Sequence, residues 1–251
     1  MSPLSTPAPR AVTFDCWNTL LYEADWQLAH AFRVDALQRA ATEGDHPVER
    51  GAAGDAFDLA WGRHMELWQR EKATGALEVA HWALEELGIP PEGVALEHLV
   101  ENWQEASHTG RVEALTGARE TLRALRAGGL RTALICDTGL TPGRVVRHHL
   151  DRHGLLEHLE VCVFSDEVGE PKPRARVFHA ALEPLGVEAA HAVHVGDLKR
   201  TDVAGAHGVG MRAVRITERH DDPSELPEAD AVVADHSALS ALLAAQSKKG
   251  D

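Results

Sequence analysis

Residues 11–21 read AVTFDCWNTLL and change abruptly from apolar to polar at Asp15. A short apolar run that stops at an aspartate or glycine is typical of a buried strand that ends at the edge of a sheet. Five similar runs follow, at residues 130–135, 159–164, 192–195, 211–216 and 231–233. Amphipathic helical spacing fills residues 116–127, 142–153 and 175–185 between them. This alternation predicts an α/β fold with a parallel sheet and helices on both of its faces.

The segment 23–112 is an exception, because it carries no strand signal. Helical periodicity occurs there instead, around residues 26–42, 51–73, 77–87 and 96–107. The pattern predicts an inserted helical domain over residues 23–112, with residues 1–22 and 113–251 forming the core. Because the insert leaves the core directly after Asp15, we expect it to cover the site as a cap.

Composition restricts the partners of the protein. Its 25 Lys and Arg residues against 39 Asp and Glu residues give a net charge of −14, which repels nucleic acid and anionic membranes. No stretch approaches the roughly 18 apolar residues of a membrane span. The three cysteines are widely spaced and odd in number, as expected for reduced thiols. We therefore predict a cytoplasmic protein with a small anionic substrate; no pattern indicates an oligomeric state.

Carboxylates follow two of the predicted strands. Asp15 closes the first strand, with Asn18 and Thr19 in the turn after it. The segment VHVGDLKRTD places Asp197 directly after the strand at 192–195 and Asp202 in the next turn. Ligands of open parallel sheets bind beyond the carboxyl ends of the strands, so we expect these side chains to converge on one site.

A lysine follows a third strand. Lys172 lies between two prolines in GEPKP, after the strand at 159–164, and the prolines stiffen the loop that carries it. Several carboxylates in contact repel one another unless a cation binds them, and oxygen ligands suit Mg²⁺. The sequence therefore predicts a magnesium site in which Lys172 holds the nucleophile and any transferred group.

Four motifs carry a family resemblance. FDCWNTL, LICDTG, EPKP and VGDLKRTD together resemble the motifs of the haloacid dehalogenase superfamily, and the helical insert matches the α-helical cap of its C1 subclass. The resemblance implies a Rossmann-like core and a covalent intermediate on the catalytic Asp15, stabilised by Lys172. It also implies Mg²⁺ held by Asp15, Asp197 and the main-chain carbonyl of Trp17. Supporting or substrate-binding positions would be Asn18, Thr19, Cys136, Asp137, Thr138 and Asp202.

Two positions depart from the family pattern. Phosphatases of the superfamily have a second aspartate two residues after the nucleophile, where this chain has Trp17. That aspartate protonates the leaving group and later activates water, and such general acid–base help contributes roughly 10²–10⁴ in rate. The second departure is Cys136, which stands where the family has Ser or Thr and is a weaker hydrogen-bond donor.

Three functions are compatible with these motifs. The first is a Mg²⁺-dependent hydrolase of a small phosphorylated metabolite, of the phosphatase-like kind. The second is a metal-independent 2-haloacid dehalogenase, which has an aromatic residue, tyrosine, at the position of Trp17 but lacks the carboxylate of Asp197. The third is a binding protein with the same fold and no turnover. Metal dependence separates the first two, and any turnover separates both from the third.

Overall fold

The chain folds into two compact units in the computed structural model, which describes residues 8–247. The first unit holds the chain up to Tyr22, Glu113–Asp137 and the chain from Arg147 onward. The second holds Glu23–Val112 and Thr138–Val146. Each has a hydrophobic cluster of its own. Among the described residues, no helix is both long and apolar enough to cross a membrane.

Strands build the first unit. In chain order they are β1 (Ala11–Phe14), β2 (Leu21–Glu23), β3 (Val112–Ala114), β4 (Arg131–Cys136), β5 (Val161–Phe164), β6 (Ala192–Gly196), β7 (Arg212–Ile216) and β8 (Ala231–Val233). Six of them form one sheet in the order β5-β4-β1-β6-β7-β8. Every neighbouring pair in it is parallel, which confirms the predicted parallel sheet.

The remaining two strands were not predicted, and each overlaps the segment 23–112 only at its end residue, Glu23 or Val112. β2 and β3 pair with each other where the chain passes between the two units. Each has only three residues, so neither is long enough to show the alternation by which a strand is recognised.

Ten α-helices occur in the described part of the chain. They are α1 (Trp26–Glu43), α2 (Arg50–Gln69), α3 (Ala76–Glu86), α4 (Leu96–Glu105), α5 (Ala118–Ala127), α6 (Gly143–Arg152), α7 (Ser165–Val168), α8 (Ala175–Leu185), α9 (Ala204–Gly208) and α10 (His236–Ser247). A π-helical turn over Lys199–Val203 leads into α9. The helices α1–α4 belong to the second unit, so the predicted helical segment is helical.

Strand register sets the position of Asp15 at the carboxyl edge of the sheet. In β1, Phe14 lies opposite Leu134 of β4 and Val195 of β6. The next residue, Asp15, donates its backbone N–H to the carbonyl of Val195 at 2.8 Å. All four residues of β1 are buried, because both faces of this central strand are covered. The chain therefore delivers Asp15 to the edge where β4 and β6 also end.

The second unit packs around aromatic and small residues. The buried rings of Phe57 and Trp103 meet edge to face with centroids 5.1 Å apart. The indole N–H of Trp103 donates to the carbonyl of Arg33 at 2.9 Å, so its polar atom is satisfied inside the core. Leu140 of the segment Thr138–Val146 is buried in the same cluster. That segment lies outside the predicted insert of residues 23–112.

Candidate active site

A buried lysine joins two of the predicted carboxylates. The Lys172 ammonium donates to Asp15 Oδ1 at 2.5 Å and to Asp202 Oδ1 at 2.7 Å. Its backbone N–H donates to Asp137 Oδ1 at 2.8 Å, which ties the loop of Lys172 to the end of β4. Only 2% of the Lys172 side chain is exposed, so its charge is balanced by protein carboxylates rather than by water.

Asp202 is held by four donors. Besides Lys172, its Oδ1 contacts His194 Nε2 at 3.2 Å. Its Oδ2 accepts from the backbone N–H of Leu198 at 3.0 Å and from the Thr201 hydroxyl at 3.4 Å. Both oxygens are therefore engaged. Although burial acts to raise the pKa of Asp202, the charge of Lys172 and the His194 hydrogen bond lower it below its ordinary value.

His194 anchors this network in the sheet. On β6 it lies opposite Thr13 of β1, and its Nδ1 is 2.8 Å from the Thr13 hydroxyl. Its ring packs edge to face on Phe178 of α8, with centroids 5.2 Å apart. Burial lowers the pKa of His194, so the neutral imidazole can donate to Asp202 through Nε2 while accepting at Nδ1.

A glycine permits the close approach of Asp202. A Cβ added to Gly196, the last residue of β6, would lie 2.2 Å from Asp202 Cγ and 2.6 Å from its Oδ2. Atoms at that separation overlap, so a side chain at this position would displace the carboxylate. Glycine at the end of β6 therefore allows Asp202 to fold back against the strand and reach Lys172.

The turn after β1 contributes two more contacts. Asn18 has a left-handed backbone with φ of 60°, and its side-chain amide donates to Asp197 Oδ2 at 3.5 Å. The Thr19 hydroxyl donates to Asp15 Oδ2 at 3.4 Å. Asparagine adopts left-handed conformations more readily than most residues, which suits the tight reversal here. Asn18 and Thr19 therefore lie with the carboxylates, where the sequence placed them.

Burial changes the protonation of the two remaining carboxylates. It raises the pKa of Asp15 to about 7, although Lys172 opposes this shift. It raises the pKa of Asp197 to about 8, and the negative charges of Asp15 and Asp202 add to the shift. Three carboxylates lie around one ammonium, so negative groups outnumber positive ones in the site.

The carboxylate cluster fits a divalent cation. One oxygen from each of Asp15, Asp197 and Asp202 lies within 4.8 Å of the others, and all three residues are buried. Both oxygens of Asp202 and both of Asp15 accept hydrogen bonds, whereas among the described residues the side-chain hydrogen bonds of Asp197 all go to Oδ2, so Oδ1 of Asp197 is the oxygen best placed to ligate a metal. Oxygen donors with excess negative charge are what Mg²⁺ requires.

The other predicted site residues lie in two places. Trp17 is half-buried in the turn after β1 and forms an isolated β-bridge with Leu21. Cys136 is the last residue of β4, and burial raises its pKa well above the usual value, so it is a neutral thiol. Asp137 holds the Lys172 loop. Thr138 is buried and belongs to the second unit.

One contact at the site was not found from the sequence. His220 Nδ1 lies 3.1 Å from Asp197 Oδ2. His220 falls in a polar segment without periodicity, which reads as an ordinary surface loop, so no sequence signal identifies it.

Comparison with known proteins identifies the family of the chain. The family model for haloacid dehalogenase-like hydrolases matches residues 72–216. The chain belongs to this family. A curated relative, phosphoserine phosphatase of Thermus thermophilus, is 33% identical over 242 residues, covering 87% of this chain and 94% of that protein. The (S)-2-haloacid dehalogenase 1 of a Pseudomonas species is 30% identical over 221 residues, covering 86% and 87%.

A solved structure shows the same architecture. The HAD phosphatase from Thermococcus onnurineus superposes with a TM-score of 0.66 at 25% identity, covering 93% of this chain and 97% of that one. The predicted Rossmann-like α/β fold and membership of the haloacid dehalogenase superfamily are confirmed. The protein is thus a phosphatase-like hydrolase of this family.

Proposed function

We propose that the protein is a Mg²⁺-dependent hydrolase of a small phosphorylated metabolite that works through a covalent intermediate on Asp15. The observation that carries this proposal is the buried Asp15 carboxylate, 2.5 Å from the Lys172 ammonium and in one cluster with Asp197 and Asp202. A phosphatase relative at 33% identity supports the same reaction class. The free cysteines and the charge of −14 support a cytoplasmic location without nucleic-acid or membrane partners.

Asp15 is the nucleophile in this reaction. Its carboxylate attacks phosphorus, and the bond between phosphorus and the substrate oxygen breaks, which leaves an acyl phosphate on the enzyme. Water then attacks that phosphorus, releasing inorganic phosphate and restoring the carboxylate. Lys172 orients Asp15 and favours its ionised form against the effect of burial, and its charge can balance a phosphoryl group at the same point.

The metal would be held by Asp15 and Asp197, with the carbonyl of Trp17 as the further protein ligand expected from the resemblance. When bound, Mg²⁺ supplies positive charge that offsets the carboxylates and the phosphoryl oxygens. Asn18 and Thr19 support the two ligands through the hydrogen bonds to Asp197 and Asp15. Asp202 keeps Lys172 in place.

Trp17 limits the substrates that such a site can turn over. An indole cannot protonate the departing oxygen, so leaving groups that depart as stable anions should react best. The rival function, 2-haloacid dehalogenation, has support from Trp17 and from the dehalogenase relative at 30% identity. Against it, dehalogenases lack a carboxylate at the position of Asp197, which in this chain is buried in one cluster with Asp15 and Asp202.

The test is a variant of the nucleophile. Asp15→Asn should abolish turnover in a screen of phosphate esters with Mg²⁺, because an amide cannot act as the attacking carboxylate. Asp151→Asn, an exposed position on α6, is the matched control and should keep parental rates. A folded Asp15→Asn protein with parental activity would show that Asp15 is not the nucleophile.

The same screen distinguishes the alternatives. Matched assays in chelator should show no phosphate-ester hydrolysis. Turnover of 2-haloacids in chelator would establish the dehalogenase function instead. No turnover of either substrate class, with Mg²⁺ or without it, would favour the binding protein.

A further inference from the structure

We infer that His220 is a positioning residue that orients the Asp197 carboxylate toward the cation site, an inference that rests on the proposed Mg²⁺-dependent function. His220 Nδ1 lies 3.1 Å from Asp197 Oδ2, within hydrogen-bonding distance. A metal-ligating carboxylate can only accept, so this bond requires a proton on Nδ1 of the imidazole. The role is mechanical: it fixes the direction in which Asp197 presents its oxygens.

Two donors meet the same oxygen of Asp197. The Asn18 amide and the His220 imidazole both contact Oδ2, at 3.5 Å and 3.1 Å. Among the described residues, these are the side-chain hydrogen bonds of Asp197, and neither involves Oδ1. Both hydrogen bonds therefore fix Oδ2 of Asp197, which leaves Oδ1 to ligate the proposed cation. Removing a group that hydrogen-bonds to a metal-ligating side chain commonly weakens metal binding by about 10–100-fold.

The loop is anchored just before His220. The guanidinium of Arg219 lies over the ring of Tyr22, 3.9 Å from its centroid, and the Tyr22 hydroxyl donates to Glu113 at 2.8 Å. This stack is a cation–π contact, and it fixes the position of Arg219, the residue before His220.

The loop is anchored again just after His220. Asp221 accepts from Arg215 on β7 at 2.8 Å, and Arg215 is itself buried. Asp222 accepts from the backbone N–H of Lys199 at 2.8 Å, at the start of the π-helical turn that carries Asp202. One residue before His220 is thus tied to Tyr22, and the two residues after it are tied to β7 and to the π-helical turn. An imidazole held from both sides in this way has a defined position, which an unrestrained surface histidine lacks.

His220 itself contributes little to the folded state. Its side chain is 41% exposed, and Asp197 is its only hydrogen-bonding partner recorded within residues 8–247. Its removal should therefore change the geometry of Asp197 without unfolding the loop, which separates a positioning role from a structural one.

The experiment measures Mg²⁺ binding to the full-length protein by calorimetry, without substrate. His220→Ala should weaken binding about 10–100-fold relative to the parent. His220→Asn should recover much of the loss, since its amide stands where Nδ1 stands and can donate to Asp197. His179→Ala, at an exposed position on α8, is the matched control and should bind as the parent does. Melting temperatures in chelator should be equal for all four proteins.

The outcomes are distinct. If the parent binds Mg²⁺ and His220→Ala binds it equally well, the inference is wrong while the proposed function stands. If His220→Ala lowers the melting temperature in chelator and His220→Asn does not restore binding, His220 is a structural residue and the inference is again wrong. If the parent shows no binding at millimolar Mg²⁺, the metal-dependent function fails and the inference fails with it.

Discussion

Trp17 is the residue at which this chain departs most from the phosphatase pattern that the resemblance implies. The surrounding turn is otherwise complete, because Asn18 and Thr19 make the hydrogen bonds that support Asp197 and Asp15. Asp15, Lys172 and the other two carboxylates lie together, so the group that the proposed phosphatase mechanism lacks is the one that transfers protons. Its absence should matter most for leaving groups that need protonation.

We therefore expect Trp17→Asp to raise phosphatase activity with Mg²⁺, and to raise it more for alkyl than for aryl phosphates. General acid–base help contributes roughly 10²–10⁴ in rate, which sets the upper limit of the gain. Steady-state rates over a series of esters with different leaving-group pKa values measure the effect.

Trp17→Asn is the matched control, since it removes the indole but adds no titratable group. Circular dichroism must first show that both variants fold, because replacing a buried aromatic can cost roughly 3–5 kcal/mol and Trp17 is half-buried. Equal rates for the folded Asp and Asn variants would mean that the missing carboxylate does not limit this enzyme. The tryptophan would then mark a different class of substrate.

At the scale of an element, α2 combines an apolar face with one buried histidine. Ala53, Ala56, Phe57 and Ala60 are buried at helical spacing, and His64 continues the same face one turn later. The His64 ring stacks on Trp61 with centroids 4.7 Å apart, and its Nδ1 lies 2.7 Å from the Thr74 hydroxyl. Burial lowers the pKa of His64 to about 4, although Glu78 opposes the shift.

This histidine should make the second unit sensitive to acid. Between about pH 6.5 and 4 the unfolded chain binds a proton at His64 and the folded chain does not. The contribution of His64 to the free energy of unfolding is therefore constant above pH 6.5. It falls by about 1.4 kcal/mol per pH unit as the pH drops from 6.5 to 4. Between pH 7 and 5 the parent should lose about 2 kcal/mol more than His64→Gln.

Urea unfolding followed by tryptophan fluorescence measures this difference. Five of the six tryptophans, at positions 26, 61, 68, 82 and 103, lie in the second unit, so the signal reports mainly on that unit. All other titratable groups are common to the parent and the variant, so their effect on the free energy of unfolding cancels in the difference between the two proteins. An identical loss of stability in the two proteins would show that folding does not lower the pKa of His64.

At the scale of the whole molecule, the two units are built from interleaved stretches of chain. The second unit includes Thr138–Val146, which begins one residue after Asp137 and two residues after the end of β4. Leu140 in that stretch is 3% exposed and packs in the cluster of α1–α4. The chain therefore enters the second unit directly after Asp137 and returns to the first unit at Arg147.

Leu140→Ala should destabilise the second unit by roughly 2–5 kcal/mol, the usual cost of truncating a fully buried leucine. Tryptophan-detected urea unfolding gives the free energy. Leu77→Ala is the matched control on α3, because Leu77 is 47% exposed and its truncation should change the free energy of unfolding by less than about 0.5 kcal/mol. Similar losses for the two variants would contradict the packing of Leu140 in this cluster.

The sequence by itself determined the strands of the sheet and the residues at their ends. The runs at 11–14 and 231–233 match β1 and β8 in their bounds, and the helix at 175–185 matches α8. These features are local. Burial on both faces gives a continuous apolar run, and the chain turns where each parallel strand ends at the carboxyl edge of the sheet. For the same reason Asp15, Lys172, Asp197 and Asp202 could be named before any contact was known.

Only the tertiary structure decided which side chains meet and through which atoms. Asn18 and Asp197 are 179 residues apart, and Thr13 and His194 are 181 apart, so no local pattern records their contacts. His220 lies in a polar loop whose position depends on Arg215, Asp222 and Tyr22. The membership of residues 138–146 in the second unit depends likewise on the packing of Leu140. Periodicity specifies which face of an element is buried, whereas the partner on that face is fixed only when distant segments pack together.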